Sequence, residues 1–168
     1  MCWTTGAKLN EESHSERQMA SAEIVSVPEF GTKQPGIEYI HRPGVYAVIE
    51  NDERRIAVIE TIKGYFLPGG GIDPGESDVV ALSREVLEET GYQVSIHAEI
   101  GESVEYIEVE GEGKHYQISS RFYRAKLGSK VKNDIEQDHH LVWLWIEDAL
   151  QKLKPQAQVW IIQIMMKK

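Results

Sequence analysis

The segment Gly70–Tyr92, GGIDPGESDVVALSREVLEETGY, sets a Gly/Pro-rich turn directly ahead of a helix that carries Arg84, Glu85, Glu88 and Glu89. At about 100° per residue, Glu85, Glu88 and Glu89 share one helical face. Carboxylates at that spacing repel one another. A hard divalent cation with carboxylate oxygens around it would offset the repulsion. A plainer reading is a solvated acidic face with Arg84 and Glu88 as an ordinary i,i+4 pair.

The flanking residues favour the cation. Gly64-Tyr65-Phe66-Leu67-Pro68-Gly69-Gly70-Gly71 reads as a short strand breaking into a glycine turn, where backbone can approach a ligand closely. Gly70 and Gly71 are therefore candidate substrate contacts. Asp73-Pro74-Gly75-Glu76-Ser77 is a second turn with Ser77 as helix N-cap, and Gly91 closes the helix at C′.

The order Gly70, five residues, Glu76, seven residues, Arg84-Glu85-Val86-Leu87-Glu88-Glu89-Thr90-Gly91-Tyr92 resembles the complete signature of the Nudix hydrolases, MutT-like enzymes. Tyr92 is aromatic where the pattern is aliphatic. The resemblance implies an α+β fold, an α/β/α sandwich around a mixed β-sheet, and hydrolysis of a nucleoside diphosphate linked to another moiety. It also implies Mg²⁺, with Mn²⁺ as a substitute, bound by Glu85, Glu88 and Glu89 and by a backbone carbonyl of Gly69 or Gly70. Arg84 would hold Glu88 or a neighbouring carboxylate in its productive rotamer, and Glu76 would anchor the turn. For the general base the choice stays open between Glu85, Glu88 and an acid from the distant loop before Trp143, with Glu136 first and Asp138 second.

Such chemistry suits the rest of the chain. Cleaving a phosphoanhydride is largely a matter of positioning and electrostatics, which metals supply. A formal charge of −9 argues against general nucleic-acid binding. It also repels a polyanionic substrate, and a metal cluster would invert that sign locally. The 168 residues, 41% hydrophobic and 27% charged, fit one domain with a real core. Residues 1–22 read as a flexible tail and 23–168 as the domain. No apolar run approaches a transmembrane span, and the N-terminus lacks the pattern of a secretory signal. A single cysteine, Cys2, excludes an internal disulfide. The expectation is a cytoplasmic enzyme of small nucleotides, away from membranes.

Along the chain, Val45–Glu50 and Arg55–Ile62 flank Asn51-Asp52-Glu53 as a hairpin signal. Strands are expected at 65–67, 93–98, 103–110, 116–127 and 141–146, and a polar loop at 129–138. Short helices follow at 147–153 and after Pro155, where Val159, Ile162 and Met166 recur at about helical spacing. That last helix, or the tail, could supply a homodimer interface. In the signature helix, Val79, Leu82 and Val86 face a core while Val80 and Leu87 mark a second apolar face, so the helix is expected between layers.

Tyr39, Tyr46, Phe66 and Trp143 are candidate base-stacking residues, each also an ordinary core aromatic. The histidines carry no constellation: His139-His140 has no CxxC or HxxxH partner, and His41, His97 and His115 are scattered. No proline stands between Pro74 and Pro155, where ADP-ribose hydrolases carry one, and the markers of NADH- and CoA-type members are missing. Tyr106 and Tyr116 fall on either side of the marker tyrosine of dinucleoside polyphosphate enzymes. By elimination the expected substrate is a (d)NTP, oxidised forms included, cleaved to monophosphate and pyrophosphate. Nucleotide sugars, dinucleoside polyphosphates and a non-catalytic nucleotide-sensing domain are the rivals.

Overall fold

A computed structural model describes residues 26–109, 111 and 113–167. The expected tail at 1–22, with Cys2, lies outside the described residues. The elements in chain order are β1 (Glu29–Phe30), β2 (Ile40–Ile49), β3 (Arg55–Thr61), β4 (Gly64–Phe66), β5 (Gly69–Gly71), α1 (Asp78–Thr90), β6 (Tyr92–Val109), β7 (Lys114–Lys130), β8 (His140–Trp145), α2 (Ile146–Lys152) and α3 (Gln156–Met166). A five-stranded mixed sheet has the order β1-β6-β7-β2-β5, and a three-stranded antiparallel sheet the order β4-β3-β8.

The period-2 alternation of β2 divides the core. Val45, Ala47 and Ile49 point to one face, where they bury with Ala81, Leu82 and Val86 of α1. Val48 points to the other and joins Phe122, Ala149 and Leu153, with Ala157, Ile161 and Ile162 of α3. Helices thus cover both sides of the sheets, the sandwich that the signature implied. Among the described residues no helix is long and apolar enough to cross a membrane.

Four expectations need correction. Asn51-Asp52-Glu53 does turn the chain, with Asn51 Oδ1 accepting from the Glu53 and Arg55 amides at 3.0 and 2.9 Å. No hairpin ladder follows beyond one Glu50–Ile56 bridge. Both edges of β2 are taken, by β7 in parallel and by β5 antiparallel, so β3 leaves for the second sheet. The glycine turn is itself a strand, β5, paired to Gly44–Tyr46. Gly69 has φ 133°, and a Cβ there would run into the Val45 carbonyl, so only glycine lets the two backbones meet.

The runs at 93–98 and 103–110 are one strand, β6, bent at register shifts around Gln93, His97 and Ile100. Finally, α1 is not apolar on two faces. Val79 and Val80 are both 54% exposed, whereas the buried set is Ala81, Leu82, Val86, Glu89 and Thr90. The second buried face is polar, and it belongs to the site. In α3, Ile162 is buried, Val159 half-buried and Met166 exposed.

Candidate active site

Helix α1 begins where Ser77, in extended conformation, accepts a hydrogen bond from the Val80 amide at 3.4 Å. It ends at Gly91, whose φ of 76° is the left-handed C′ geometry and whose N–H donates to the Leu87 carbonyl. Between these caps, the helix presents its acids to β5 on one side and to the loop 131–139 on the other.

Arg84 is the hub of the first side. Its Nε and Nη2 donate to the two Glu76 carboxylate oxygens, each at 2.8 Å, a bidentate fork. Nη1 donates to Glu85 Oε1 at 2.8 Å and reaches Glu88 Oε2 at 3.4 Å, and Nη2 also donates to the Gly71 carbonyl at 3.0 Å. Glu76 completes the network by accepting from the Asp73 amide at 3.0 Å. The guanidinium holds the Glu76 carboxyl down at a pKa of about 2, and these carboxylates raise Arg84 further above its ordinary value. Arg84 thus orders the turn before α1 and fixes Glu85 more closely than Glu88.

Glu85 packs directly on β5: a Cβ on Gly70 would stand 2.5 Å from Glu85 Oε2. Glu89 is 6% exposed and accepts from the Gly69 amide at 2.9 Å. Burial pushes Glu89 up to about 8 against that hydrogen bond, with Glu85, Glu136 and Glu88 adding repulsion. Burial also raises Glu85, opposed by Arg84 and reinforced by Glu88 and Glu136. Both carboxyls are raised first by burial, and a cation beside them would favour their charged forms.

Glu136 is delivered by the loop 131–139. Its amide donates to the Glu88 carbonyl at 3.2 Å, and the amides of Val131 and Lys132 donate to the Gly91 carbonyl at 2.9 and 3.1 Å. The loop therefore uses the free carbonyls at the C-terminus of α1 as its dock. His139, which no motif singled out, enters here. Its Nδ1 lies 2.9 Å from Glu136 Oε2 and its Nε2 lies 3.8 Å from Glu89 Oε1. The signal that could have found it is its distance of three residues from Glu136 in a loop already suspected of carrying an acid. His140, its neighbour, is the first residue of β8 and points to solvent.

A cavity of about 340 Å³ adjoins the acids and is lined by Tyr46, Ile59, Thr61, Ile62, Lys63, Phe66, Gly69, Glu89, Asp138 and His139. The lining mixes apolar and aromatic side chains with the charged groups of Lys63, Glu89 and Asp138. Of the expected substrate contacts, Tyr46 and Phe66 line it, whereas Gly70 sits against Glu85 and Gly71 turns its carbonyl to Arg84. Desolvation pushes the Tyr46 phenol up to about 12, so it stays a neutral donor. Trp143 packs into the core beside α1, and Tyr39 meets Tyr106 and His115 edge to face, outside the cavity lining.

The donor set suits a hard cation. It is all oxygen and partly buried, and Arg84 and the Gly69 amide offset only part of its mutual repulsion. Among the described residues, no three acidic, histidine or cysteine side chains stand in metal-holding geometry. Glu85 is instead turned to Arg84 and Glu89 to the Gly69 amide. The residues fit the cation by the chemistry of their oxygen donors.

Known proteins agree with this geometry. A chain described as MutT protein from Methanosarcina mazei Go1 superposes with TM-score 0.62 at 21% identity, covering 78% of this chain and 96% of that one, a likeness of fold. A Bacillus subtilis (strain 168) protein named "Putative 8-oxo-dGTP diphosphatase" is 38% identical over 64 residues, 37% of this chain and 43% of the relative. A Caenorhabditis elegans "Bis(5'-nucleosyl)-tetraphosphatase [asymmetrical]" is 36% identical over 89 residues, 49% of this chain and 59% of the relative. The chain thus spans about half the length of the curated relatives it matches. The NUDIX domain pattern matches residues 40–164, from the first residue of β2 into the last turn of α3. With the signature, the sandwich and that match in agreement, the chain belongs to the NUDIX family.

Proposed function

We propose that this chain is a Mg²⁺-dependent pyrophosphohydrolase that cleaves a (d)NTP, oxidised forms included, to the monophosphate and pyrophosphate. One observation carries the reading: the acids of α1 and of the loop 131–139, Glu85, Glu88, Glu89 and Glu136, repel one another beside a cavity that Glu89 lines together with Tyr46 and Phe66. A nucleotide asks for the same combination, a flat base that aromatic side chains can hold and a polyphosphate that needs a cation.

Glu85, Glu88 and Glu89, with a backbone oxygen from Gly69, would hold Mg²⁺ or Mn²⁺. When bound, the cation supplies charge neutralisation for the phosphates and lowers the pKa of a coordinated water. The remaining work falls to the chain's own groups. Arg84 keeps Glu85 against β5, and the Gly69 amide holds Glu89 in place. Glu136 takes the proton of the attacking water at its carboxylate, from a loop docked on α1. Tyr46 and Phe66 flank the nucleobase. A volume of about 340 Å³ lies at the small end of ligand sites, which favours one nucleoside over the two of a dinucleoside polyphosphate.

The test is a Mg²⁺-supplemented screen of nucleoside triphosphates, nucleotide sugars and dinucleoside polyphosphates with product identification. Pyrophosphate and a monophosphate should appear from a triphosphate, and Glu88→Gln should abolish them. Turnover that persists undiminished in Glu88→Gln would disprove the metal assignment. Absence of any monophosphate or pyrophosphate would overturn the hydrolase reading itself.

A further inference from the structure

We propose that His139 is a positioning residue, which fixes the loop 131–139 so that the Glu136 carboxylate faces the acids of α1. The proposal rests on the hydrolase reading above, in which Glu136 serves the reaction.

Three observations meet at this side chain. First, the backbone bonds that dock the loop secure four of its amides but leave the stretch between them and the direction of the Glu136 side chain open: Val131 and Lys132 on Gly91, Glu136 on Glu88, and the His139 amide on the Glu136 carbonyl at 3.1 Å. The Glu136 side chain is about half exposed, so without a further contact its rotamers are free. Secondly, the imidazole of His139 bridges the gap, with Nδ1 2.9 Å from Glu136 Oε2 and Nε2 3.8 Å from Glu89 Oε1. It is the side chain that touches both the loop acid and the buried helix acid.

Thirdly, Nδ1 is buried and makes no well-aligned hydrogen bond, although Glu136 Oε2 is within range. A buried ring nitrogen without a partner is costly. A small rotation of either side chain completes the bond and removes that cost, which ties the Glu136 rotamer to the imidazole. A histidine that only filled space would have no reason to aim a buried nitrogen at a carboxylate.

The experiment compares His139→Ala, His139→Asn and Glu136→Gln, with His140→Ala as a control in an exposed residue of β8. Asparagine places an amide nitrogen near the position of Nδ1. His139→Ala should lower kcat by about 10–100-fold, the range typical of partners that orient an active group, with KM within about twofold of wild type. His139→Asn should recover most of that loss, and His139→Ala combined with Glu136→Gln should be no slower than Glu136→Gln alone.

Amide hydrogen exchange over residues 131–139, which needs no turnover, should rise in His139→Ala and return towards wild type in His139→Asn. Losses that simply multiply in the double variant, a His139→Ala enzyme with wild-type kcat, or unchanged loop exchange would each overturn the proposal. An inactive wild-type protein would instead sink the hydrolase reading, while the exchange measurement still tests the positioning.

Discussion

The two sides of helix α1 treat the same chemistry in opposite ways. Towards β5 and the preceding turn, Arg84 meets Glu76, Glu85 and the Gly71 carbonyl at 2.8–3.0 Å, so donors and acceptors are matched. Towards the loop 131–139, Glu89 and Glu136 face each other with only His139 between them, and Glu89 is pushed up to about 8. One side is a closed network that holds the backbone in shape. The other keeps carboxylates in a state that a cation would improve. Matched and mutually repelling charges thus stand a few residues apart on a single helix, and single substitutions can tell them apart.

The largest effect is expected at Glu89. Glu89→Gln should lose at least about a hundredfold in activity and abolish the rise in Tm that Mg²⁺ produces. It should nevertheless raise Tm in EDTA at pH 8. The sign follows from linkage: the folded-state value of about 8 lies above the ordinary 4.5, so the folded protein binds the extra proton. Stability in EDTA is therefore full below about 4.5 and falls as pH rises through about 8, and Mg²⁺ should flatten that fall. A wild-type Tm in EDTA that climbs between pH 5 and 8 while the Glu89→Gln Tm stays level would break the contrast.

Glu76 makes the opposite prediction. Arg84 holds its pKa at about 2, below the ordinary 4.5, so its contribution is present above 4.5 and lost as pH falls towards 2. Glu76→Gln should lower Tm by several degrees at pH 7, and the gap to wild type should close by about pH 2. Mg²⁺ affinity, measured by titration calorimetry, should change far less than in Glu89→Gln. A comparable loss of Mg²⁺ affinity would show that the two sides are not separate.

Gly91 joins both sides, since it ends α1 in left-handed geometry and its carbonyl docks the loop. A Cβ there would also strike the Lys132 carbonyl. Gly91→Ala should cost about 1–2 kcal/mol in urea unfolding for the backbone geometry alone, and it should lower kcat because the loop that carries Glu136 must shift. The smallest effect is expected at Ser77. Ser77→Ala removes a cap and should cost about 0.5–1 kcal/mol while leaving kcat and KM within about twofold of wild type. A large kcat effect there would mean that the register of α1 itself controls the site.

Much of this was legible before any coordinates. The caps of α1 at Ser77 and Gly91 and the acids on one face follow from local rules that act within one or two helical turns, and the anchoring role of Glu76 came with the family resemblance. Where the reading failed, the cause was non-local. Gly69–Gly71 looks like a turn in sequence, and it is a strand because β2 offers an open edge. Val79 has the right spacing for the core, but in the first turn of α1 it is Asp78 and Ala81 that face the rest of the molecule, and Val79 is left exposed. His139 has no motif partner, because its partners lie three residues away in a loop and fifty residues away on a helix.

The sequence by itself determined the helix, its caps, the row of carboxylates and the family those residues resemble. All of these depend on spacing along one chain segment, where 3.6 residues per turn dictates which side chains meet. Tertiary structure decided which acids are buried, that Arg84 is shared mainly between Glu76 and Glu85, and that Glu136 and His139 close the site. Those outcomes depend on desolvation and on contacts between distant segments, and both exist only once the sheets and the loop are packed around α1.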